Sequence, residues 1–165
     1  MSPVAFIEER VLFSPNIPIE VNNLLQAAVA ASSVDQKKAE TLFLQAQALD
    51  SHCLQTYFAL YKFYFFQKRL DDAERIVLAG LEESANQGGF PSDYRRLVDG
   101  GRKWNLYANE CTFFYLYTLK ALAFIKLRLG FNLDAQLVLS HLQQLDPEDL
   151  SGASVIMDLA AGVNE

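Results

Sequence analysis

Cysteine, histidine and tryptophan are scarce in this chain. There are two cysteines, two histidines and one tryptophan among 165 residues. Cys53 and Cys111 form no CxxC pair and sit in apolar, helix-like stretches. That pattern suggests reduced, buried thiols in a cytosolic protein, not a disulfide framework. His52 beside Cys53 is a pair without metal-ligand spacing, and His141 lies far along the chain. Catalysis needs an acid, a base or a nucleophile converging in one pocket, and neither histidine accompanies a nucleophile motif. Glu82-Glu83 and Asp71-Asp72 are sequence neighbours, so they point to different sides of a helix and make no carboxylate dyad. The expectation is a non-enzyme with no cofactor and no metal.

Long hydrophobic runs are missing too. The most apolar run, Phe113 to Ile125, is interrupted by Lys120 and is too short to span a bilayer. The opening residues, MSPVAFIEERVLF, place acids where an export signal wants a basic segment. Gly88-Gly89 and Gly100-Gly101 belong to no GxxxxGK[ST] phosphate loop. Basic residues are in deficit, with 14 Lys and Arg against 20 Asp and Glu, for a net charge of −6. The last 24 residues, from Leu142, hold no Lys or Arg but carry Asp146, Glu148, Asp149, Asp158 and Glu165. Such a balance argues against nucleic acid or an anionic membrane as partner. The acidic end reads as a solvated face or, alternatively, as a binding tail. A cytoplasmic location is expected.

What is abundant is apolar material. Hydrophobic residues make up 51% of the chain and the mean hydropathy is +0.06. The length suits a single domain with a full core. The apolar surplus fits either a large helical core or a surface kept for a partner.

Internal repetition organises these residues. AETLFLQAQALDS from Ala39, AERIVLAGLEESA from Ala73 and AQLVLSHLQQLDP from Ala135 share one pattern. Each opens on a small residue, with apolar or small residues four and seven on: Ala39/Phe43/Ala46, Ala73/Val77/Gly80 and Ala135/Leu139/Leu142. The offsets are 73 − 39 = 34 and 135 − 73 = 62, or 34 plus an insert of 28. Tyr57, Leu60, Tyr61 and Tyr64 recur at helical spacing. Asp71 with Glu74 reads as a capping-box-like helix start, and Asp146-Pro147 as the start of a last helix over roughly 147–161.

On these residues the chain resembles the tetratricopeptide repeat family, whose unit is 34 residues of helix–turn–helix. Residues 54–87 place Tyr57, Leu60, Tyr64 and Ala73 at family positions. Residues 116–149 do so with Leu119, Leu122, Ala123, Gly130 and Ala135, closing on Leu145-Asp146-Pro147. Residues 20–53 match more weakly, through Ala27, Ala39, Phe43 and Ala46. The resemblance implies an all-α fold of three helix–turn–helix units in a right-handed superhelical stack. Residues 1–19 form an N-terminal arm, 88–115 an insert and the start of a long helix, and 150–165 a capping helix and tail.

The family binds peptides along the first helix of each pair. The corresponding groove here is Leu24, Ala28, Gln55, Phe58, Lys62, Phe65, Tyr117, Lys120, Phe124 and Leu127. Aromatic anchors with two lysines suit an amphipathic helix or extended peptide carrying acidic residues. A stripe of aromatics at helical spacing is also what a core looks like. The chain's own Phe6, Ile7, Leu12 and Phe13, or a homodimer, are alternative occupants. The insert offers a second contact through Tyr94, Arg95, Arg96, Arg102 and Trp104, whose plainer reading is a loop folded on its own core. Leu24 and Ala28 replace the polar clamp of family members that grip acidic chaperone tails.

The resulting expectation is a protein-binding module, an adaptor or small chaperone. In length and repeat number it resembles the small chaperones of type III secretion. The strings ALYKFYFFQKRLDDAE, GGFPSDYRRL and LQQLDPEDLSGASVI resemble those of small bacterial repeat proteins of nitrogen-fixation gene clusters. That resemblance implies an accessory or assembly role.

Overall fold

The computed structural model describes residues 17–98 and 104–163. The N-terminal arm therefore lies outside the described residues except for 17–19. So do Arg102 and the proposed groove-filling Phe6, Ile7, Leu12 and Phe13. The described residues are all-α, with eight helices and no strand. They are α1 (Ile19–Ala31), α2 (Gln36–Leu49), α3 (Leu54–Phe66), α4 (Leu70–Gly88), α5 (Tyr94–Val98), α6 (Glu110–Arg128), α7 (Asn132–Leu145) and α8 (Ala153–Val163). The chain divides into two compact units between Ile76 and Val77, within α4.

In the first unit α1 packs on α2, and α2 on α3. Each buries one stripe. Val21, Leu25 and Ala28 come from α1, and Ala39, Phe43 and Ala46 from α2. The small residues let backbones approach, and Phe43 fills the space beside Phe63, 5.2 Å between ring centres. Asp35 caps α2 by accepting from the Lys38 N–H at 3.1 Å. The turn from α3 to α4 is tight. Lys68 takes the left-handed conformation at φ 61, so that Arg69 N–H reaches Tyr64 C=O at 2.9 Å and Lys68 N–H reaches Phe65 C=O at 3.0 Å.

This turn corrects one expectation. α4 begins at Leu70, so Asp71 lies inside its first turn and does not cap it. The turn closing α3 runs to Arg69 and leaves no residue free ahead of Asp71. Asp71 and Asp72 instead face the positive end of the helix dipole.

In the second unit α6 packs on α7 and α8, α7 on α8, and the short α5 on α7. Asn109 and Thr112 open α6 with a reciprocal capping box. Gly130, at φ 87, closes it with the same bonding pattern that Lys68 gives α3. The last helix also differs from expectation. It starts at Ala153, not near 147, because Asp146 folds the intervening residues into a turn. The Asp146 carboxylate accepts from Leu150 N–H and Ser151 N–H, both at 2.9 Å, four and five residues on. A helix cap would instead take the second or third N–H. Asp149, at φ 55, then breaks the helical path and accepts from Ser154 N–H at 3.1 Å.

Candidate interaction surface

The residues expected to line a groove fall into both units, six in the first and four in the second. In the first unit, Gln55, Phe58, Lys62 and Phe65 share one stripe of α3 at i, i+3, i+7 and i+10. Gln55 and Phe58 are fully buried, as is Ala28 on α1. Leu24, Lys62 and Phe65 are half-buried. The Lys62 ammonium lies 4.3 Å from the Phe58 ring centre, a cation–π contact. Gln55 accepts from the Cys53 thiol at 3.3 Å.

In the second unit, Tyr117, Lys120, Phe124 and Leu127 are all half-buried on α6. Lys120 sits 4.0 Å from the Tyr117 ring centre and donates to the Ser151 carbonyl at 2.7 Å. It therefore ties α6 to the turn before α8, a role sequence reasoning did not assign to it.

The insert is built onto the second unit. Phe90 packs edge-on against buried Tyr115, 5.0 Å between ring centres, and Trp104 lies 6.4 Å from Phe90. Tyr115 donates to the Ser92 carbonyl at 2.5 Å, and burial pushes its phenol well above the usual value. Tyr94 meets His141 of α7 edge-on at 5.2 Å. Arg95 is engaged by Asp93 through two bonds of 3.1 and 3.0 Å, and this pairing holds the Asp93 carboxyl below its usual range. Arg96 is exposed. Tyr94 and Trp104 are thus packing residues of this unit, and Arg95 faces one of the chain's own acids.

Among the described residues, two clusters of titratable side chains stand apart from these. Glu40 accepts from Arg69 at 3.0 Å and from Tyr64 at 2.7 Å, while Arg69 also bonds Asp72 at 2.9 Å. The Arg69 bond, then the Tyr64 bond, lower the Glu40 carboxyl below its usual value against the opposing effect of burial. Burial and the Glu40 bond push Tyr64 up to about 12. In the second unit Tyr107 donates to buried Asp146 and accepts from Glu148 N–H at 3.1 Å. Burial and the Asp146 bond push Tyr107 up to about 12. Both clusters clasp one element to another. Among the described residues no group of three or more His, Cys, Asp and Glu could hold a metal ion, and no helix is long and apolar enough to cross a membrane.

A feature absent from the sequence reading lies between α7 and α8. A cleft of about 240 Å³ is lined by Gln136, Leu139, Ser140, Gln143, Met157 and Ala160. Its signal in the sequence was a last helix apolar on nearly every side.

No protein-family model matches the chain, and no solved structure does. The chain is similar to an uncharacterized 19.8 kDa protein in the nifW 5′ region of Azotobacter chroococcum mcd 1. The two are 28% identical over 134 residues, which cover 80% of this chain and 75% of that protein. The likeness therefore runs through most of both chains, in keeping with the resemblance to proteins of nitrogen-fixation gene clusters.

Proposed function

We propose that this chain is a non-catalytic accessory protein of a bacterial nitrogen-fixation system, and that it acts by holding a partner protein. The observation that carries this reading is the similarity to the protein in the nifW 5′ region. The side-chain chemistry supports the non-catalytic part. Within the Glu40–Tyr64–Arg69 cluster and, separately, the Tyr107–Asp146 pair, the side chains bond one another, and Asp146 also bonds backbone N–H groups. On this reading the helix pairs are tetratricopeptide-like units in a right-handed stack that α8 caps. A partner helix or peptide lies along the stripe of Lys62 and Phe65 on α3 or along that of Tyr117 and Phe124 on α6, each unit offering its own. The protein works in the cytoplasm.

The test is genetic. Deleting the gene of the similar protein in Azotobacter chroococcum is expected to slow growth on dinitrogen but not on ammonium, and this chain is expected to restore growth. Equal growth of the deletion strain on both nitrogen sources would sink the reading.

A further inference from the structure

We draw no further inference here: the strongest candidate, the cleft between α7 and α8 lined by Gln136, Leu139, Ser140, Gln143, Met157 and Ala160, carries nothing because nothing in the structure shows what covers it.

Discussion

Lys68 occupies a backbone conformation that a side chain resists. Its φ of 61 lets the turn after α3 close, and Gly130 does the same after α6 at φ 87. The two positions are 130 − 68 = 62 residues apart, the offset between Ala73 and Ala135. One copy of the turn thus has the residue best suited to it and the other does not. Lys68→Gly is expected to raise stability by about 1 kcal/mol, seen as a higher urea midpoint. Glu40 shows a second residue-scale effect. Its carboxyl is lowered in the folded state, so its contribution to stability is present above the ordinary value of 4.5 and is lost as pH falls below it. Glu40→Gln is expected to flatten the fall of the urea midpoint between about pH 5 and pH 3, while wild type declines across that window.

At the scale of elements, two connections depend on single residues. A Cβ on Gly88 would stand 2.4 Å from Cε1 of Phe90, a ring held edge-on by Tyr115. Gly88→Ala is expected to displace that ring, destabilising the fold by about 1–3 kcal/mol. Trp104, beside Phe90, is expected to report the change as a shifted fluorescence maximum. The turn between α7 and α8 depends on Asp146, whose buried carboxylate meets Tyr107, Leu150 N–H and Ser151 N–H. Asp146→Ala would strand these donors and is expected to destabilise by about 3 kcal/mol in chemical denaturation. Tyr107 adds an alkaline signature. Its folded value of about 12 exceeds the ordinary 10.0, so it stabilises fully below pH 10.0 and loses that effect as pH rises through the interval. Tyr107→Phe is expected to reduce the loss of stability between these two pH values.

For the whole molecule, charge is the property most easily tested. With a net charge of −6, the chain is expected to pass through a DNA column and to leave anionic vesicles unbound at about 0.15 M salt, where screening is short-ranged. Retention on either would contradict the expectation drawn from that charge. The helices were largely legible because their signals are local. The apolar spacing of Tyr57, Leu60 and Tyr64, and the small residues Ala39, Ala73 and Ala135, each lie within one or two turns of a helix. The surface was less legible. Phe58 and Phe65 belong to the same stripe at i and i+7, yet Phe58 is fully buried and Phe65 half-buried. Periodicity tells which residues share a face and is silent on what lies against it.

By itself the sequence determined that the chain is helical and acidic and that one spacing of small and apolar residues recurs along it. Those properties depend on spacing, propensity and charge, all carried by neighbouring residues. Only the tertiary structure decided that Lys120 binds the Ser151 carbonyl 31 residues away, that Tyr107 meets Asp146 across 39, and that Trp104 lies beside Phe90. It also decided that the last helix begins at Ala153, because a buried carboxylate gathers N–H groups that a helix start would have used differently. Contacts between residues distant in sequence have no periodic trace. They arise when packing removes both partners from water and each must satisfy its hydrogen bonds with the other.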